Sequence, residues 1–182
     1  MSTLLDEPET LELADQHAFN VAVWKKLIED ESLAELPNRI ETDELGQIIM
    51  TPPPSFDHGL GQSHLFAMLK KLMPEGEVVA ECPVSTSGGV KGVDLVWISE
   101  ARLQPQRGKV CLTKAPEICI EVLSPSNSRR EMKKKKRLYF EAGAEEVWFR
   151  ERDGRMTFYL KAAPDVEVEA SILCPEFPGR VE

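Results

Sequence analysis

Two carboxylates interrupt otherwise apolar segments of this sequence. Asp94 lies within VDLVWI at residues 93–98, and Glu121 lies within EICIEVL at residues 117–123. Both segments have the composition of buried strands, where a carboxylate loses hydration and needs a cation, a metal or a proton. In the second segment, period two places Ile118, Ile120 and Val122 on one face of the strand, and Glu117, Cys119, Glu121 and Leu123 on the other. If the strands are neighbours, Asp94 and Glu121 could share a hard divalent cation such as Mg²⁺, which prefers oxygen ligands. Alternatively, Asp94 caps a turn after Gly92 and Glu121 pairs with an arginine on an exposed face.

A basic helix follows the Glu121 strand. Capping-box spacing over residues 128–131 and a later glycine predict a helix over residues 129–142. At 3.6 residues per turn, the mean direction of its apolar side chains lies about 25° from that of Lys135. The same direction lies more than about 100° from those of Lys133 and Lys134. Lys135 therefore faces the core, where an ammonium is costly unless it meets a carboxylate.

The elements that must position these residues can be read from apolar spacing and turn residues. Apolar residues at intervals of three and four predict helices within residues 9–32 and 61–73. Asp153 and Gly154 are typical of a hairpin turn. Strands are predicted at residues 47–51, 78–85, 93–99, 117–123, 147–150, 156–160 and 166–173, with a long loop at 100–116. This order favours an α/β sheet that is antiparallel at its late edge.

Composition restricts the class of protein. With 182 residues, 42% of them hydrophobic, the chain fits one globular domain. No apolar run approaches the roughly 18 residues of a membrane span, and the acidic N-terminus does not resemble a secretory signal. The four cysteines lack CxxC spacing and HExxH is absent, so neither a disulfide framework nor a zinc site is predicted. We expect reduced thiols, a cytoplasmic location and no membrane partner.

The charge is unevenly distributed. A net charge of −9 argues against passive binding to a phosphate backbone. Residues 1–60 hold thirteen acids and three bases, whereas residues 129–137 hold seven bases and one acid. The basic helix could therefore bind nucleic acid locally despite an acidic surround.

Several segments together resemble one known family. They are GVDLVW at residues 92–97, APEICIEVLSPS at 115–126, Lys135 four residues before Tyr139, AGAEEVW at 142–148, and upstream residues 39–50 and 52–58. These are similar to the Uma family of restriction-endonuclease-like proteins, a bacterial branch of the PD-(D/E)xK nuclease superfamily. The resemblance covers residues 39–180. It implies one nuclease-like domain at 39–182, preceded by an acidic helical extension at 1–38.

The resemblance implies a fold and a motif. The fold is a restriction-endonuclease-like central mixed β-sheet flanked by helices. Asp94 takes the place of the motif's aspartate and Glu121 that of its (D/E). Two positions depart from the pattern: Val93 replaces the motif's proline, and Leu123 stands where the motif has lysine. In this family the lysine is thought to have moved to the following helix, and Lys135 is the matching residue.

The activity implied is Mg²⁺-dependent hydrolysis of DNA phosphodiesters, with Mn²⁺ as a substitute. Asp94, Glu121 and the Val122 carbonyl would hold the metal, while Lys135 would orient water or stabilise developing charge. Lys91 and the basic helix would contact phosphates. His58 and Glu41 match a recurrent histidine and acid, Glu41 being either a third ligand or a surface acid. The residues expected to bind nucleic acid are Arg129, Arg130, Lys133 and Lys134.

Two other functions are compatible with the sequence. A catalytically degenerate nuclease fold could bind nucleic acid or protein without cutting. Alternatively, the acidic N-terminal half could serve as an interaction surface, with the fold as its scaffold. Because enzymes that cut duplex DNA often pair two sites, a homodimer is also predicted.

Overall fold

The computed structural model describes residues 12–35 and 39–182. A short 3-10 turn (Gln104–Gln106) accompanies five helices and eight strands in these ranges. The helices are α1 (Leu13–Ile28), α2 (Glu31–Ala34), α3 (Phe56–Leu72), α4 (Glu100–Leu103) and α5 (Arg129–Glu141). The strands are β1 (Arg39–Thr42), β2 (Ile48–Thr51), β3 (Gly76–Thr86), β4 (Gly89–Ser99), β5 (Ile118–Val122), β6 (Glu146–Arg150), β7 (Met156–Leu160) and β8 (Ala163–Val168).

Six strands form one mixed sheet in the order β3-β4-β5-β6-β7-β8. Only β5 and β6 are parallel, because α5 crosses over between them, and the remaining neighbours in this sheet are antiparallel. β1 and β2 form a separate antiparallel ribbon. The predicted α/β architecture, a central mixed sheet flanked by helices, is confirmed.

The sheet has a buried core on each face. Leu65 and Leu69 of α3 pack against the face that carries Ile118, Ile120 and Trp148. The opposite face lies under α5, with the buried side chains Cys119, Val147, Met132, Tyr139 and Phe140. The period-two alternation of β5 therefore sends Ile118 and Ile120 to one core and Cys119 and Glu121 toward α5, as predicted.

The α5 boundaries follow the predicted local chemistry. The Ser128 hydroxyl accepts a hydrogen bond from the Glu131 backbone N–H, and the Glu131 carboxylate accepts one from the Ser128 N–H. Gly143 has a φ of 109°, the left-handed conformation that commonly ends a helix. The predicted helix over residues 129–142 is confirmed to within one residue at its end.

Other boundaries differ from those predicted. α3 begins at Phe56 rather than Gly61, because the Ser55 hydroxyl caps it by accepting from the His58 N–H. The last strand spans Ala163–Val168, not residues 166–173. After it, the backbone N–H groups of Ile172 and Leu173 donate to Glu146 instead of a neighbouring strand. The predicted loop at 100–116 contains α4 and the 3-10 turn.

Helix α1 is anchored to the β3–β4 hairpin by a buried amide. The Asn20 side chain donates to the Ser85 hydroxyl and the Thr86 carbonyl, both at 2.9 Å, and accepts from Gln16. The predicted helix over 9–32 ends earlier, at Ile28, and its first residues, 9–11, lie outside the described residues. None of the helices in residues 12–35 and 39–182 is long and apolar enough to cross a membrane.

Candidate active site

Asp94 and Glu121 lie on adjacent strands of the central sheet. β4 and β5 pair antiparallel, and the two carboxyl groups lie just beyond the last paired residues, Leu95 and Ile120. The Val122 backbone N–H donates to Asp94 Oδ2 at 2.7 Å. Asp94 is 3% exposed and Glu121 4%. The strands are neighbours, which was the condition for a shared cation, and the alternatives of a turn cap for Asp94 and an exposed face for Glu121 are wrong.

Both carboxylates open into a large cleft. The cavity has a volume of about 800 Å³, and its lining includes Asp94, Glu121, Val122 and Lys135. Its other walls come from α1, α2, the β1–β2 ribbon and the loop that follows β5. The Glu121 strand and the helix that carries Lys135 therefore present their polar groups to one solvent-connected space.

The alternation of side chains breaks beside Asp94. Val78 and Cys82 are four residues apart on β3, so a regular strand would place both on the same face. Val78 instead packs on the α3 side of the sheet and Cys82 on the α5 side. Glu81 lies at this change of face and has a φ of 52°, which non-glycine residues seldom adopt. The two residues that flank Asp94 likewise pack on opposite faces. Glu81 and Asp94 both line the cleft at this irregularity.

Asp94 is held as a carboxylate by its neighbours. Arg39 Nη2 lies 2.7 Å from Asp94 Oδ1, and His58 Nε2 lies 3.4 Å from the same oxygen. Burial alone would raise the pKa of Asp94, but the contacts with His58, Arg39 and the Val122 N–H outweigh it and lower that pKa. Among the described residues, no hydrogen-bond partner of good geometry contacts His58 Nε2. This buried nitrogen lies beside Asp94 with its hydrogen-bonding capacity unused.

Glu121 has the opposite electrostatic character. Burial raises its pKa to about 8, and the Asp94 charge adds to this effect against the attraction of Lys135. Lys135 Nζ lies 3.4 Å from Glu121 Oε2, and the Tyr139 hydroxyl donates to Oε1. The environment therefore makes Asp94 ionise more readily than an ordinary aspartate and Glu121 less readily than an ordinary glutamate.

Glu41 joins the site from the β1–β2 ribbon. Its Oε1 accepts from Lys135 Nζ at 2.8 Å and from the Gly92 N–H at 3.2 Å, and the residue is buried. The surface-acid interpretation of Glu41 is therefore wrong. Burial would lower the pKa of Lys135, but Glu121 and Glu41 together raise it, so the ammonium stays charged. Lys91 is buried too, and its Nζ donates to the Thr42 carbonyl at 2.7 Å.

The structure separates the remaining predicted residues from this cluster. Lys91 does not line the cleft but lies behind Glu41, 3.9 Å from its carboxylate. The four bases predicted to bind nucleic acid are exposed on the outer side of α5 and lie outside the cleft lining: Arg129, Arg130, Lys133 and Lys134.

The donor chemistry fits a hard divalent cation. Asp94 and Glu121 supply carboxylate oxygens, and the Val122 residue lines the same cleft. No group of three or more His, Cys, Asp or Glu side chains suited to metal binding occurs in residues 12–35 and 39–182. The residues here that could hold such an ion are Asp94, Glu121 and Val122, and water or substrate would complete the shell, as is common for Mg²⁺.

Three residues of the site were not assigned roles from the sequence. Arg39 contacts Asp94, Glu81 contacts Arg39 at 2.6 Å, and Tyr139 contacts Glu121. For Tyr139 the sequence did carry a signal, because it lies four residues after Lys135 and shares its helix face. Glu81 has no sequence signal that distinguishes it from a surface glutamate.

Comparison with known proteins identifies the family. The family model Uma2, described as "Putative restriction endonuclease", matches residues 30–180. The chain belongs to this family. The match begins at Asp30, before the start inferred from the sequence motifs, so the Uma2 region includes α2 as well as the sheet.

The Uma2 match agrees with a solved structure. A protein from Anabaena variabilis ATCC 29413, described as a "putative nuclease belonging to DUF820", is similar with a TM-score of 0.64 and 19% identity. The alignment covers 81% of this chain and 91% of that one. This similarity establishes the shared fold. No protein of curated function matches the chain significantly.

Proposed function

We propose that the protein is a divalent-metal-dependent nuclease that hydrolyses phosphodiester bonds of DNA. One observation carries the proposal: two buried carboxyl groups on adjacent strands, Asp94 and Glu121, lie at an open cleft, where the partly buried ammonium of Lys135 contacts Glu121. Uma2 membership and the nuclease-like fold support it. A cytoplasmic location and a homodimer remain predictions from the sequence, and gel filtration at two concentrations tests the dimer.

Asp94, Glu121 and the Val122 carbonyl would hold Mg²⁺ or Mn²⁺. A bound divalent ion polarises the scissile phosphate and lowers the pKa of attacking water. Glu121 would hold the ion as a carboxylate, with its proton released to solvent, and the Tyr139 hydroxyl, which donates to Glu121, orients this group. Lys135 remains charged and can donate to the attacking water or to the phosphate oxygens, where negative charge develops.

The basic side of α5 would supply contacts to the phosphate backbone. The chain has a net charge of −9, but α5, the helix that follows the Glu121 strand, carries four exposed basic residues: Arg129, Arg130, Lys133 and Lys134. Local rather than overall charge then determines binding, so affinity should fall steeply with salt.

A second candidate function rests on a specific observation. Each carboxylate already has a cationic partner, because Arg39 contacts Asp94 at 2.7 Å and Lys135 contacts Glu121 at 3.4 Å. A buried carboxyl group that is paired with a cation or protonated is tolerated without metal. The same residues could therefore belong to a degenerate nuclease fold that binds nucleic acid or protein without cutting it.

Calorimetric titration of Mg²⁺ and Mn²⁺ distinguishes the two functions. The nuclease proposal requires binding to the wild type that disappears in Asp94→Asn. It also requires that Glu121→Gln and Lys135→Ala each abolish cleavage while the variants still unfold in a cooperative transition. Lys71→Ala, an exposed lysine of α3 outside the cleft lining, is the control and should retain cleavage. Identically purified variants exclude a contaminating nuclease, and cleavage that survives both core substitutions would eliminate the proposed mechanism.

The third function, an interaction surface in the acidic N-terminal half, makes a different prediction. Deletion of residues 1–38 would abolish it, whereas Asp94→Asn would not. Because Asn20 anchors α1 to the β3–β4 hairpin, the deletion variant must first be shown to melt cooperatively.

A further inference from the structure

The cleft has an apolar wall that the proposed chemistry does not use. This wall lies on the α1–α2 side and consists of Trp24, Leu27, Ile28, Leu33 and Ile40. Ile28 is 55% exposed, and the other four side chains are partly exposed. A partly exposed apolar surface beside a polar site is typical of a ligand-binding surface.

Trp24 differs from the other two tryptophans of the chain. Trp97 and Trp148 are buried, and their indole N–H groups donate to the Met73 carbonyl and to Glu146. The Trp24 ring is partly exposed in the cleft, and its N–H makes no hydrogen bond to the rest of the described chain. A flat aromatic face is thus available, on a helix that Asn20 holds in place.

The charge of the cleft determines which part of a nucleic acid can lie against this wall. Six Asp and Glu side chains line the cleft within the described chain, and its permanent cations there are Arg39 and Lys135. Both cations are already ion-paired. A run of backbone phosphates would be repelled, whereas an uncharged base would not. In a duplex the base faces are stacked on one another, so only an unpaired base presents its face to an indole.

We infer that Trp24 is a stacking platform for an unpaired base of single-stranded DNA, next to the phosphate at the Asp94–Glu121 site. This inference rests on the proposed nuclease function and names its substrate class. The strand would enter with its bases toward the α1–α2 wall and its flanking phosphates toward the exposed bases of α5. Duplex DNA would bind through α5 without contacting Trp24.

Fluorescence anisotropy of labelled oligothymidylate tests the inference with the full-length protein at low salt and without divalent metal. Trp24→Ala should weaken binding roughly tenfold, as base–aromatic contacts commonly do, and Trp24→Phe should restore most of the affinity. An abasic strand of equal length should bind weakly to the wild type and be insensitive to Trp24→Ala. Trp24→Ala should likewise leave the affinity for the matched duplex unchanged. Phe56→Ala, an 82% exposed aromatic outside the cleft lining, is the control and should have no effect.

Intrinsic fluorescence provides an independent readout. Because Trp97 and Trp148 are buried, quenching by unlabelled oligothymidylate should come from Trp24 and disappear in Trp24→Phe. The inference would be overturned if Trp24→Ala weakened binding of the abasic strand or the duplex as much as binding of oligothymidylate. It would also be overturned if Trp24→Ala had no effect, or if the wild type did not bind oligothymidylate. Since these experiments contain no metal and require no cleavage, their failure is distinguishable from failure of the metal titration.

Discussion

Arg39 Nη2 lies 2.7 Å from Asp94 Oδ1, so a guanidinium contacts the carboxylate proposed to hold a metal. The same nitrogen lies 2.6 Å from Glu81 Oε2, and the Arg39 side chain is about one quarter exposed. A guanidinium and a metal ion at the same carboxylate repel each other, because both are positively charged. Arg39 therefore either shares Asp94 with the metal or withdraws toward Glu81 when the metal binds.

Removing this guanidinium should strengthen metal binding. Arg39→Gln keeps a polar side chain but removes the positive charge, so we expect the affinity for Mn²⁺ to rise about fivefold, as for a partly screened charge contact. Calorimetric titration measures the change. Arg107→Gln, whose guanidinium pairs with Glu100 on an exposed surface, is the control. Unchanged or weaker binding in Arg39→Gln would show that the guanidinium does not compete.

Glu121 should make the stability of the fold depend on pH. Its pKa is about 8 in the folded chain against 4.5 for an ordinary glutamate. Between these values the folded chain holds a proton that the unfolded chain has lost, so the free energy of unfolding falls as pH rises, and the loss is complete above pH 8. Glu121→Gln should therefore raise the melting temperature more at about pH 8.5 than at about pH 5. Glu176→Gln, on an exposed residue, should show no such difference, and an equal gain at both pH values in Glu121→Gln would refute the explanation.

The α1 anchor should contribute measurably to stability. Asn20 is 1% exposed and donates to Ser85 and Thr86, so Asn20→Ala leaves a buried carbonyl and hydroxyl short of a partner. We expect a loss of about 1–3 kcal/mol in the free energy of unfolding, measured by urea denaturation. Lys26→Ala on the exposed face of α1 should change it little. A loss no larger than that of the control would mean that α1 does not unfold together with the sheet.

The C-terminal segment should depend on one buried carboxylate. Glu146 is 2% exposed and accepts from the Trp148 indole N–H at 2.7 Å and from the N–H groups of Ile172 and Leu173 at 2.8 Å. Glu146→Ala leaves these donors unpaired and should cost more than about 3 kcal/mol. Urea denaturation followed by circular dichroism measures the loss, with exposed Glu169→Ala as the control. A cost below about 1 kcal/mol would show that water replaces the carboxylate.

The sequence alone predicted the parts of the site that depend on local rules. The capping box and helical phase placed Lys135 on the inner face of α5, and the alternation in β5 placed Glu121 opposite the Ile118–Ile120 face. The structure agrees on each point. These predictions hold because a helix or strand fixes the direction of a side chain from its neighbours in sequence.

Boundaries were less predictable where a distant residue supplies the deciding hydrogen bonds. The last strand was expected to run to residue 173, yet the chain leaves the sheet after Val168. The backbone N–H groups of Ile172 and Leu173 donate to the Glu146 carboxylate instead of to a neighbouring strand. The face change at Glu81 was also unexpected, since period two assumes regular backbone and Glu81 has a positive φ. Neither feature leaves a pattern in the local sequence.

The electrostatic character of the site was decided by the tertiary structure. Arg39 and Asp94 are 55 residues apart in sequence, and Glu41 and Lys135 are 94 apart, so their contacts depend on how the β1–β2 ribbon lies against the sheet. The sequence by itself determined which residues needed a buried partner, because a charge in an apolar element must be compensated. Only the tertiary structure decided which partner each one has, because strand order and ribbon placement bring together residues that no local spacing connects.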